Sequence, residues 1–220
     1  MRKVLLSVLS AAALSAAFGA TASVALAAEG AVTVSAGTTA YTASQTSSGH
    51  TFTMVGGRVW SCSNVSFTGA VTHGSKSFTA APGYSGCAAK VGGNTLPMTV
   101  ATTGCDFVVS DMTPAAAGTW AAKTDIACPA GQAIHIIVYS SEANHTSGTR
   151  LCEYTWGPQS LTGVHVTDSG SGNLTTTATG VAIATTRTFG SIANCGEASF
   201  NTLLTGSTVM TPSSGSIFVD

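Results

Sequence analysis

The chain has 220 residues, eight lysines and arginines against nine acids, and a net charge of −1. With only 8% charged residues and no basic cluster, it lacks the electrostatic footprint that nucleic-acid binding needs. Its apolar residues, 44% of the total, are spread along the chain, which argues against disorder.

The N-terminus reads as an export signal. Met1, Arg2 and Lys3 give a basic start, an alanine-rich apolar run extends from Val4 to about Ala20, and Ala25-Leu26-Ala27 offers small residues where a signal peptidase reads. Residues 1–27 are therefore set aside, and the mature chain is expected to begin near Ala28, without a lipid-accepting cysteine or a stable membrane anchor. Without Arg2 and Lys3, six basic residues face nine acidic ones, a net charge of −3. The remaining length can bury one substantial core or two small ones.

Beyond the signal no segment carries sustained helical periodicity with caps. Short runs rich in Thr, Ser, Val and Ile alternate with Gly, Pro and Asn, the pattern of strands and turns. In chain order the expected strands are Ala31–Ser35, Thr51–Val55, Arg58–Cys62, Val65–Thr68, Lys76–Thr79, Met98–Thr102, Asp106–Ser110 and Thr119–Ala122. They continue with Ala133–Ser141, Arg150–Tyr154, Leu161–Thr167, Asn173–Thr179, Val181–Thr188, Ser199–Thr205, Ser207–Thr211 and Ile217–Val219. Many short strands at close spacing predict an all-β, disulfide-stapled β-sandwich or jelly-roll-like body over residues 28–220. The similarity of Arg58…Cys62…Ser66-Phe67-Thr68-Gly69 to Arg150…Cys152…Ser160-Leu161-Thr162-Gly163 hints at two related halves. Any sub-boundary between them falls in the polar stretch 141–148.

All six cysteines, Cys62, Cys87, Cys105, Cys128, Cys152 and Cys195, lie after the signal. An even count in an exported chain reads as three disulfides, and of the fifteen formal pairings the sequential one closes three local loops between expected strands. No Cys-x-x-Cys occurs and the five histidines are scattered, so no metal site or cofactor is expected.

The stretch Asp125–Ser141 combines Cys128, a Pro-Ala-Gly turn and a strand carrying His135. Ile134, Ile136 and Val138 alternate with Ala133, His135, Ile137 and Tyr139, so both faces are mostly apolar and a strand buried on both sides is expected. His135 then reads as a core imidazole bonded to a nearby carbonyl. Asp168-Ser169-Gly170 has the look of a serine-protease nucleophile, yet a triad is defined by geometry that one tripeptide lacks, and the stretch is also an ordinary loop. Gly83-Tyr84-Ser85-Gly86-Cys87 lacks the closing glycine of a nucleophile elbow.

No catalytic residue is assigned. The possible ligand-contacting group is Glu153, Tyr154 and Trp156, in Leu151-Cys152-Glu153-Tyr154-Thr155-Trp156, where aromatics next to a carboxylate suit a sugar. The leading functional expectation is a secreted, non-catalytic module, surface-associated or ligand-binding, in contact with cell-wall or extracellular polysaccharide or with other surface proteins. The alternative is a small glycoside hydrolase using Glu153 and a second carboxylate. A membrane-active hairpin built from Leu161–Thr167 and Asn173–Thr188 comes third, because few strongly apolar residues face one side there.

Gly56-Gly57-Arg58-Val59-Trp60-Ser61-Cys62, Tyr84-Ser85-Gly86-Cys87, Gly104-Cys105 and Cys128-Pro129-Ala130-Gly131, after an export signal, resemble secreted six-cysteine β proteins of high-GC Gram-positive bacteria. The resemblance implies an extracellular compartment and a β fold, and no activity.

Overall fold

In the computed structural model, the described residues are 30–35, 37–46, 49–91, 93–140 and 149–220. The signal and the stretch 141–148 lie outside them. The described chain is almost entirely strand: β1 Val32–Val34, β2 Thr38–Gln45, β3 His50–Met54, β4 Val59–Thr72, β5 Phe78–Val91, β6 Asn94–Ala101 and β7 Asp106–Ala116. After these come β8 Thr119–Ala127, β9 Ile134–Tyr139, β10 Arg150–Trp156, β11 Gln159–Asp168, β12 Leu174–Phe189, the single helical turn α1 Ile192–Cys195, β13 Ser199–Pro212 and β14 Ile217–Val219.

The body is an antiparallel, sandwich-like assembly whose sheet closes on itself twice. One circuit of eight strands runs β2–β4–β5–β7–β8–β11–β12–β13 and back to β2. A second runs β3–β4–β5–β6–β9–β10–β12–β13 and back to β3. The long strands β4, β5, β12 and β13 belong to both, so the circuits stack end to end and share four walls. Strands from either side of 141–148 interleave in both: β9 pairs with β10, β8 with β11, and β2 with β13.

The sequence predicts breaks inside β4, β12 and β13 where the structure has continuous strands that pass from one circuit to the other. The register of β12 against β13 shifts between Ala178 and Val181, and Gly180 there has φ 63°, a backbone that side chains disfavour. Turn-forming residues thus mark where the strands bend, not where they end.

Alternation does the rest. In β9, Ile134, Ile136 and Val138 are buried, whereas His135, Ile137 and Tyr139 are half-buried. This corrects the expectation of a strand buried on both faces: a sheet closed on itself has one inner face, and the other meets solvent. The second circuit is filled by rings, with Trp60 against Tyr154 at 4.8 Å and Phe52 against Trp156 at 5.1 Å between centroids. The small β1–β14 sheet lies across the opposite end, over the first circuit. Val32 N–H donates to Ser75 in the β4–β5 turn, Gly30 N–H to Met112 in β7, and Ile217 N–H to Gly172 in the β11–β12 turn. Val32, Val34 and Ile217 are completely buried there.

Three disulfides join Cys62 to Cys87, Cys105 to Cys128, and Cys152 to Cys195, the sequential scheme. The first links directly opposed residues of β4 and β5. The second fastens the turn before β7 to the end of β8, and the third ties α1 to β10.

Candidate functional site

The three residues singled out from β10 do not share a surface. Tyr154 and Trp156 point inward, 2% and 1% exposed. The Tyr154 hydroxyl donates to the Cys195 carbonyl at 2.9 Å, and Trp156 Nε1–H donates to Thr185 Oγ1 at 3.0 Å. Rings so placed stack on other core rings and are closed to a ligand outside. Glu153, one residue along the pleat, faces outward, as the two-residue period of a strand demands.

There Glu153 is the centre of a polar cluster. One carboxylate oxygen lies 3.1 Å from His135 Nδ1, and the other accepts from Arg150. The Arg150 guanidinium sits 4.2 Å over the Phe189 ring, a cation–π contact. His135 is thus held by a carboxylate, not by a backbone carbonyl, because the Glu153 position on β10 lies beside β9 on the outer face. The side-chain partners of Glu153 are an imidazole and a guanidinium. Of the other acids, Asp125 on β8 is engaged by the Ser160 hydroxyl and by Lys123, which hold its carboxyl below the usual range. Asp168 Oδ1 accepts from Gly170 N–H at 2.7 Å and Oδ2 from Val219 N–H at 3.3 Å, so the Asp168-Ser169-Gly170 stretch fastens a loop to β14. Among the described residues no group of three or more His, Cys, Asp or Glu side chains is placed to hold a metal ion.

The end of the second circuit distant from β1–β14 carries a distinct surface. It is formed by the β3–β4 turn, the β5–β6 turn, the far ends of β9 and β10, and the α1 segment. Val55, Phe189 and Ile192 are exposed there, with Ile192 at 67%, and Leu203 is exposed on nearby β13. Arg58, Arg150 and Arg187, every arginine after the signal, cluster around this end together with Lys90. Arg58 donates to the Ala193 carbonyl of α1 at 3.3 Å. Among the described residues Glu153 and Glu197 are the acids of this region, whereas Asp106, Asp111, Asp125, Asp168 and Asp220 belong to the first circuit and its cap.

A second feature was not legible beforehand. The first circuit holds a cavity of about 70 Å³, lined by Tyr41, His50, Phe67, Tyr84, Phe107 and Thr124 among others. His50, at the head of β3, is 5% exposed and packs across Gly206, where a Cβ would lie 2.5 Å from the imidazole. Among the described residues neither of its ring nitrogens has a hydrogen-bond partner, nor does the Thr124 hydroxyl, although Thr124 is only 4% exposed. Each such group costs about 1–3 kcal/mol when left without a partner. Tyr41 is spent elsewhere: its hydroxyl donates to the Thr79 carbonyl at 2.7 Å, and burial together with the Asp106 charge raises its pKa. The alternation His50, Phe52, Met54 was the available signal for an inward histidine, but a lone histidine in a Thr-rich strand carries no chemistry by itself.

Burial pushes the His50 imidazole down from its ordinary 6.5 to about 4. A base with a lowered native pKa binds fewer protons folded than unfolded between these values, so its contribution is full above pH 6.5, is lost progressively as pH falls from 6.5 to 4, and changes little below that. The expected loss is on the order of 3 kcal/mol between pH 7 and pH 4. The other titratable side chains facing the cavity, Tyr41 and Tyr84, stay neutral throughout this range. Urea unfolding followed across pH 4–7 measures the loss. His50→Gln should flatten the profile, and an unchanged slope in that variant would assign it to other groups.

Comparison of the chain with protein-family models, curated proteins and solved structures finds no match.

Proposed function

We propose that this is an exported, non-catalytic binding module that contacts an acidic cell-wall or extracellular glycan through the arginine-bearing end of its second circuit. The observation that carries the reading is the coincidence there of Arg58, Arg150, Arg187 and Lys90 with the exposed Val55, Phe189 and Ile192. Guanidinium groups suit carboxylate and phosphate on a polymer, and exposed apolar side chains suit the less polar faces of sugar rings. Three disulfides support an oxidising compartment. No helix among the described residues is long and apolar enough to cross a membrane.

The test is a glycan-array screen of the mature protein, with and without the double substitution Arg58→Gln, Lys90→Gln, read for binding and for released sugar. Acidic glycans should bind, with affinity falling about tenfold in the variant and falling with added salt. Equal binding of neutral glycans, or insensitivity to both charge and salt, would count against this face. Release of reducing sugar abolished by Glu153→Gln would establish the hydrolase instead.

A further inference from the structure

The cavity of the first circuit is independent of the arginine-bearing surface. An eight-stranded barrel is just wide enough for its side chains to fill or for one small ligand to be held. The second circuit is filled by Trp60, Tyr154, Trp156 and Phe52. The first is lined by smaller side chains at several inward positions, including Ala43, Ala80, Ala178 and Gly206, and retains a space of about 70 Å³. Into this apolar space are aimed two polar side chains more than nine-tenths buried, His50 and Thr124, that find no hydrogen-bond partner among the described residues.

The chemistry of the lining limits the guest. Among the described residues no Asp, Glu, Lys or Arg lines the cavity, so a charged molecule would lose its hydration without a counter-charge. Neutral imidazole offers one donor and one acceptor, and a threonine hydroxyl offers both, which complements a hydroxyl group. The volume is about half of the roughly 150 Å³ that admits benzene, which leaves room for about three to five heavy atoms. We propose that the cavity is a binding site for one small uncharged alcohol, its alkyl part against the alanine and phenylalanine side chains and its hydroxyl bonded to His50 and Thr124.

The test is a titration of the mature, disulfide-bonded protein with 1-propanol, followed by NMR of ¹³C-labelled methyl groups. Saturable shifts are expected at the lining methyls of Ala43, Ala80, Val109, Val164 and Met210, with none for propionate. Thr124→Val keeps the shape and removes an unpartnered hydroxyl, so it should fold; it should weaken propanol about fivefold or more while leaving xenon binding unchanged. Shifts that rise without saturating, that spread to outward-facing methyls, or that appear equally with propionate would overturn the site. So would an unchanged propanol affinity in Thr124→Val. Loss of glycan binding in the arginine-face variant does not bear on it, nor does propanol binding bear on the glycan.

Discussion

Trp156→Ala is expected to destabilise the mature protein by about 3–5 kcal/mol, as truncations of buried aromatic residues do. The indole is 1% exposed, its ring centroid lies 5.1 Å from that of Phe52, and its N–H is the donor to Thr185 Oγ1. Thr185 in turn shares a 2.7 Å hydrogen bond with Thr202 on β13, so the variant leaves both a void and a threonine pair short of a donor. Trp156→Phe retains most of the packing and loses the N–H, and should cost distinctly less. Urea unfolding read by far-ultraviolet circular dichroism measures both. A role as a ligand platform predicts the reverse, namely ordinary stability with lost binding, and that result would refute the placement of Trp156 in the core.

The second large effect is expected from joint replacement of Cys152 and Cys195 by alanine. The bridge joins residues 43 apart, against separations of 25 and 23 for the other two, so it removes the most loop entropy from the unfolded chain. The chain-entropy relation gives about 4 kcal/mol for this loop. The native state loses an anchor as well, since the bridge ties α1 to β10 beside the Tyr154 hydroxyl that donates to the Cys195 carbonyl. The Cys62–Cys87 bridge lies within a continuous β4–β5 ladder that holds the same strands by backbone bonds. Its removal should leave local structure better preserved. Thermal unfolding of the two double variants side by side checks the order, and a smaller loss for Cys152–Cys195 would contradict it.

Composition and spacing were enough for the all-β class and the disulfide scheme. Both draw on local facts: β-branched runs between turn residues, and cysteines that, taken in order, pair off to close one loop each between strands. Among the segments missed, two show equally local reasons. β2, Thr38–Gln45, carries Tyr41 as its one large side chain, and its other residues are those of a linker. The part of β5 beyond Thr79 contains Pro82, Gly83 and Gly86, residues that ordinarily end strands, yet the long ladder to β4 holds it extended. Propensity gives way where a neighbouring strand supplies the hydrogen bonds.

The candidate site was legible only in part. The outward position of Glu153 follows from alternation once Tyr154 is inside, but its pairing with His135 depends on β9 lying beside β10, and its contact with Arg150 on the local bend of β10. The clustering of Arg58, Arg150 and Arg187, far apart in sequence, exists only because three connections meet at one end.

By itself the sequence determined which residues alternate and where the chain bends. Those properties are set within a few residues by side-chain shape and backbone preference. The tertiary structure alone decided that β4, β5, β12 and β13 run through two closed circuits, that one circuit is filled by aromatic rings, and that the other keeps a cavity facing His50 and Thr124. These outcomes depend on which strands become neighbours and on the summed volume of side chains drawn from the whole chain, quantities that no local stretch contains.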